Sequence, residues 1–152
     1  MKTTIFVVAL FIIFLFTGIT ATNAEAYLST SKIITSKKDN NAPKTAYLVK
    51  DKGILSVSLM SAEESLKDNG FKASKAVIVV IGPAIHSLQK GSKMQGEVKK
   101  ALKNGVKIFA CELAMNYMGV KAGTLINGIQ PTPNGFFKIF ELENKGYLTV
   151  QN

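Results

Sequence analysis

The chain has 152 residues, of which 47% are apolar and 19% charged, with a formal net charge of +9, one cysteine (Cys111) and one histidine (His86). A single cysteine excludes a disulfide framework within the chain, and one cysteine with one histidine cannot fill a four-ligand zinc site, so no metal ligands are expected. All 19 basic residues are lysine, with neither arginine for bidentate base readout nor interleaved aromatics for base stacking, which argues against a nucleic-acid partner.

From the amino terminus, Lys2 precedes the apolar stretch Ile5 to Phe16, and a small-residue region ends at Ala24-Glu25-Ala26. This is the three-part pattern of a secretory signal peptide over residues 1–26, with an A-x-A site for cleavage. The apolar stretch is shorter than the roughly 18 residues of a spanning helix, so a cleaved leader is expected, with no stable membrane span after cleavage. An uncleaved amino-terminal anchor is the alternative. Cleavage removes one lysine and one acid, so the mature protein keeps its basic charge and is expected to be periplasmic or secreted. Such a surface suits anionic membranes or anionic small molecules. Residues 27–43 are rich in Ser, Thr, Lys, Asn and Asp and read as a flexible linker, leaving residues 44–152 as one domain.

Within that domain the pattern alternates. Thr45 to Val49 predicts a strand, and Leu55 to Lys67 a helix closed by Asn69-Gly70. Ala76 to Ile81 is a β-branched apolar run stopped by Gly82-Pro83, which suits a strand covered on both faces. Gly96 to Asn104 predicts a helix with Val98, Ala101 and Leu102 on one side and Lys99, Lys100 and Lys103 on the other. The strand Val106 to Ala110 follows, then a helix from Glu112 to Met118. Leu125 to Gln130 is a short strand candidate. Asn134 to Asn144 reads as a helix with Phe136, Phe137, Phe140 and Leu142 mostly buried, and Tyr147 to Val150 as a closing strand. Strands and helices in alternation predict a parallel, flavodoxin-like α/β sheet flanked by helices.

In open α/β sheets ligands sit beyond the carboxyl ends of the strands. Three segments are expected there: Lys50 to Gly53, Gly82 to His86, and Cys111-Glu112. Cys111 falls at the amino end of a predicted helix, whose dipole and unpaired N–H groups favour a thiolate, while Glu112 and burial oppose it. The competing reading is a small buried hydrophobe. His86 would sit in the first turn of a short helix on the same edge and could exchange a proton with the thiol. No phosphate cradle is present: Gly119 to Thr124 lies between a helix and a strand, and Lys50 to Gly53 lacks Ser and Thr, so no nucleotide or flavin cofactor is expected. The Asn-Gly pairs at 69, 104, 127 and 134 read as turns needing left-handed residues.

Val79-Val80-Ile81-Gly82-Pro83-Ala84-Ile85, the segment Gly105-Val106-Lys107-Ile108-Phe109-Ala110-Cys111-Glu112-Leu113-Ala114-Met115, Gly128-Ile129 and Gly146-Tyr147-Leu148 together resemble the DsrE/DsrF-like family over about residues 45–151. The resemblance implies a parallel sheet flanked by helices and homo-oligomers, trimers or hexamers. It further implies a sulfur carrier or sulfurtransferase that holds sulfane sulfur as a persulfide on Cys111 and passes it on in a sulfur relay. The well-understood members are cytoplasmic, whereas this chain carries a leader pattern. It also has no second cysteine, so any transfer would be intermolecular, between a donor and an acceptor protein or an anionic sulfur compound. The alternative is a non-catalytic ligand-binding or assembly module with Cys111 in its core.

Overall fold

The computed structural model describes residues 42–151, so the leader pattern and all of the linker before Ala42 lie outside the described residues. Five strands form one sheet: β1 (Lys44–Val49), β2 (Lys75–Val80), β3 (Lys107–Cys111), β4 (Gln130–Thr132) and β5 (Tyr147–Gln151). Their order is β4-β3-β2-β1-β5, and every pairing is parallel. Four α-helices connect them: α1 (Lys52–Ser65), α2 (Gln95–Lys103), α3 (Glu112–Tyr117) and α4 (Gly135–Asn144), with 3-10 helices at Gly82–Leu88 and Ala122–Thr124. The predicted α/β class is the observed one. None of the described helices is long and apolar enough to cross a membrane.

The central strands β2 and β3 carry a core on each face because, after the leading lysine, their apolar residues run on without polar interruption, and β1 adds to both faces beside them. Toward α1 and α2 point Val49, Ile78, Val80, Ile108 and Ala110, packed with Leu55 and Leu59 of α1 and Val98 and Ala101 of α2. Toward α4 point Ala46, Leu48, Val77 and Val79, packed with Ile139 and Leu142. Each fully buried aliphatic side chain of this kind contributes about 1.5–3 kcal/mol relative to exposure.

Three elements differ from the sequence expectation, each for a physical reason. Helix α1 starts three residues early because Asp51 adopts an extended conformation and its carbonyl accepts from Leu55 N at 3.0 Å. The strand expected at Leu125 to Gln130 is displaced to Gln130–Thr132. Leu125, Ile126 and Ile129 are all buried in the larger core, and the left-handed Gly128 (φ 99°) turns the chain between them, so the run never alternates as a strand must. Pro131 is tolerated in β4 because β4 is an edge strand. In α4 the stripe facing the sheet is Gly135, Ile139 and Leu142, at helical spacing. Phe136, Phe137 and Phe140 therefore point outward and are more than half exposed, whereas Leu142 is buried as expected.

Candidate functional site at the carboxyl edge of β3 and β4

The sheet changes direction of winding between β3 and β4. After β3 the chain enters α3, whose Met115 packs in the core on the α1 face; after β4 it enters α4, whose Ile139 and Leu142 pack on the opposite face. Neighbouring strands whose connections leave to opposite faces open a crevice at their carboxyl ends, which is where open α/β sheets bind ligands. Cys111 is the last residue of β3, and its register partner on β4 is Thr132, also the last residue of its strand. The only cysteine thus stands at the switch point.

Cys111 occupies the N-cap position of α3, but its side chain makes no cap hydrogen bond there. The helix that reaches the sulfur is α4: Gly135 N–H donates to Cys111 Sγ at 3.2 Å. A neighbouring helix therefore supplies the donor expected from the cysteine's own helix. The loop is built to deliver it. Asn134 caps α4 by accepting from Phe136 N at 2.9 Å and from Phe137 N at 3.4 Å, which leaves the Gly135 N–H free for sulfur. Gly135 is a glycine for lack of room and not for backbone conformation, because its φ is not positive. A Cβ there would collide with Ile81 Cγ2 and lie 3.2 Å from Cys111 Cβ and 3.4 Å from Val79 Cγ1. The expectation that Asn134-Gly135 is a left-handed turn is corrected accordingly. Asn69-Gly70, Asn104-Gly105 and Asn127-Gly128 do place a glycine at positive φ.

Cys111 is 4% exposed and packs in the α4-side core with Val79, Ile81 and Ile139. His86 sits elsewhere. It lies in the last turn of Gly82–Leu88, not the first, and is exposed, with Nδ1 3.2 Å from Gln89 Oε1. Gln89 Nε2 in turn donates to Thr124 Oγ1 at 3.1 Å. The 3-10 helix carrying His86 buries Ala84, Ile85 and Leu88 in the core on the α1 face, so the histidine and the cysteine are engaged with different elements. The loops after β1 and β2 do meet as expected: Ala84 N donates to Lys50 O at 3.0 Å, and a Cβ at Gly82 (φ 53°) would lie 3.0 Å from Lys50 Cγ. Among the described residues no group of three or more His, Cys, Asp or Glu could hold a metal ion.

Sequence reasoning found Cys111 and its sheet edge but missed Thr132, Asn134 and Gly135. The available signal was Asn134 ahead of the apolar run Phe136-Phe137, an N-cap pattern that reads equally well as a turn.

No family model matches the chain, and no curated protein matches it significantly. Solved structures do. A protein of unknown function from Methanobacterium thermoautotrophicum matches with a TM-score of 0.64 and 17% identity, over 74% of this chain and all of that one. A conserved protein of unknown function from Bacteroides thetaiotaomicron matches at 0.60 and 21%, over 77% of this chain and all of that one. The ychN protein of E. coli matches at 0.58 and 12%, over 72% of this chain and 99% of that one. At these identities the likeness is one of fold alone, a parallel α/β sheet flanked by helices.

Proposed function

We propose that this chain is an exported sulfur carrier of the DsrE-like kind, which holds sulfane sulfur on Cys111 and hands it to a partner. The observation that carries the reading is the Gly135 N–H aimed at Cys111 Sγ at the topological switch point. A fixed N–H donor beside a sulfur stabilises the negative charge that resides there before and after transfer.

Loading needs no redox co-reactant. The Cys111 thiolate attacks the terminal sulfane sulfur of a polysulfide, a new S–S bond forms, and the old one breaks with its electron pair leaving on the shortened polysulfide. Unloading is the same exchange in reverse sense: an acceptor thiolate takes the outer sulfur and Cys111 leaves as thiolate. The chain has no second cysteine, so the acceptor belongs to another molecule. Lysines at this end of the sheet, Lys50 and Lys52, favour the approach of anionic sulfur compounds. Export by residues 1–26 belongs to the same proposal.

The experiment is intact mass spectrometry of the protein prepared without reductant, before and after polysulfide. A gain of one sulfur atom that dithiothreitol removes and Cys111→Ser prevents supports the carrier. Equal loading of the serine variant ends it.

The burial of Cys111 favours one other reading, a non-catalytic binding or assembly module in which the thiol is core packing. An unchanged mass together with a thiol that resists every small alkylating reagent in the native state selects that reading.

A further inference from the structure

Lysines gather at the amino edge of the sheet, the edge opposite Cys111. β1, β2 and β3 each begin with one, Lys44, Lys75 and Lys107. Register sets all three on the α4 face: Lys44 pairs with Lys75, and Lys107 pairs with Val77, two residues further along β2. Adjacent strands lie about 4.8 Å apart, so Lys44 and Lys75 set like charges side by side, an arrangement that folding alone disfavours. Lys44 is taken up, since its Nζ donates to Lys145 O and lies over the Tyr147 ring. Lys75 and Lys107 are exposed, and among the described residues neither forms an ion pair. The acids of this edge are already engaged: Glu64 by Lys67, Asp68 by Lys72, Glu141 by Lys138 and Lys145, while Glu143 accepts from Thr149 Oγ1. Lys103, exposed at the end of α2, stands beside them; the helix dipole accounts for a lysine there but not for lysines that begin strands. The same edge receives residues 1–41. Ser74 N donates to Pro43 O at 2.7 Å and Ser74 Oγ to Ala42 O at 3.0 Å, which holds the entry of the chain into β1 against the start of β2.

We infer that this amino edge docks on an anionic bilayer, with Lys75, Lys103 and Lys107 among the headgroup phosphates. Two features select a bilayer over a soluble polyanion. The leader pattern of residues 1–26 directs the chain to a membrane, as a cleaved signal or as an anchor, and the linker that follows it joins the domain at this very edge. The cations are lysines in a chain without arginine, and a lysine is a compact point charge suited to a plane of mobile headgroups, where a bound oxyanion calls for a bidentate fork. The inference rests on the export reading proposed above and not on the sulfur chemistry of Cys111. It does fix where the thiol points. β3 carries Lys107 at one end and Cys111 at the other, about 13 Å apart along the strand, so a domain docked by its lysines turns the Cys111 edge away from the lipid.

Co-sedimentation of the full chain with vesicles tests this, together with lysine acetylation read by mass spectrometry. Binding is expected on phosphatidylcholine vesicles that contain phosphatidylglycerol, and it should weaken steeply with added salt. On those vesicles Lys75 and Lys107 are protected from acetylation, while Lys90 and Lys93, in the loop that leads into α2 from the opposite edge, are not. Lys75→Gln with Lys107→Gln weakens the salt-sensitive binding roughly tenfold or more, and Lys90→Gln with Lys93→Gln leaves it near the parent value. Cys111→Ser binds as the parent does, so this test and the sulfur-loading test fail independently. A protein that does not bind overturns the inference, and so does one that binds without selective protection of Lys75 and Lys107, as insertion of the apolar stretch Ile5 to Phe16 alone would produce. Equal losses in the two double variants would show a diffuse charge with no docking edge and also overturn it, as would binding of soluble polyphosphate by a chain that ignores anionic vesicles. Circular dichroism of each variant establishes that lost binding is not a lost fold.

Discussion

The backbone N–H of Gly135 donates to the sulfur of Cys111 across 3.2 Å, and the same glycine leaves no room for a side chain between α4 and the Ile81, Cys111 and Val79 side chains. One residue thus sets both the hydrogen bond and the helix-to-sheet distance. Gly135→Ala keeps an allowed backbone but drives a methyl into Ile81 Cγ2, so α4 must back away. The expected cost is about 1–3 kcal/mol, the usual penalty of overpacking, read from urea denaturation. The control is Gly96→Ala in α2, where nothing lies within 4 Å of the new methyl. There alanine should stabilise by roughly 0.5–1 kcal/mol. Equal effects at the two sites would sink the close-approach account.

Glu63 of α1 is buried, and Asn104, at the carboxyl end of α2, donates to its Oε2 at 2.6 Å; Lys100 Nζ stands 3.4 Å away. This pair pins the two helices that cover one face of the sheet. Asn104→Ala leaves the carboxylate short of a partner in a site largely closed to water, and the expected loss is about 1–3 kcal/mol. Replacing both partners, as Glu63→Met with Asn104→Ala, should cost less than the sum of the single changes. A strictly additive double-mutant cycle would show that the hydrogen bond contributes nothing of its own.

Much of this fold was legible because its signals are local. The runs at 76–81 and 108–111 are apolar on both faces, which parallel strands require and few other elements do. Helix α2 could be read from the opposition of Val98 and Ala101 to its lysines. Failures came where the deciding contact is distant in sequence. Three phenylalanines in α4 look like core by composition, yet only the stripe 135, 139, 142 faces the sheet, and its first member is a glycine that a hydropathy reading overlooks. The candidate site divides in the same way. Cys111 at a strand end is visible in sequence; that its donor comes from Gly135, 24 residues later, depends on how α4 docks.

Glu141 on α4 accepts hydrogen bonds from Lys138 and from Lys145, and these hold its carboxyl down from 4.5 to about 2. A carboxylate whose pKa is depressed by folding adds stability above its ordinary value, and that stability is lost as pH falls from about 4.5 toward 2. The group is exposed, so salt should screen the effect. NMR titration of the Glu141 carboxyl at low salt is expected to give a midpoint near 2, rising toward 4.5 with Lys138→Ala and with molar salt. A parent midpoint near 4.5 at low salt would mean that neither lysine holds it in solution.

Access to Cys111 should run through the first turn of α4. Cys111 is 4% exposed, and the Gly135 N–H at the start of that helix donates to its sulfur. Small reagents such as polysulfide can therefore reach it only as the turn lifts, and bulky aromatic disulfides should react far more slowly in the native protein than in urea. Asn134 holds the turn down by accepting from Phe136 N and Phe137 N. Asn134→Ala removes that cap at about 1 kcal/mol, and if the same contact is what local opening breaks, native labelling of Cys111 should quicken roughly fivefold. The two readouts separate opening from unfolding: a variant that loses the stability but labels at the parent rate would place the entry path elsewhere. A variant that labels faster and also loads sulfur faster would identify the α4 turn as the gate of the carrier.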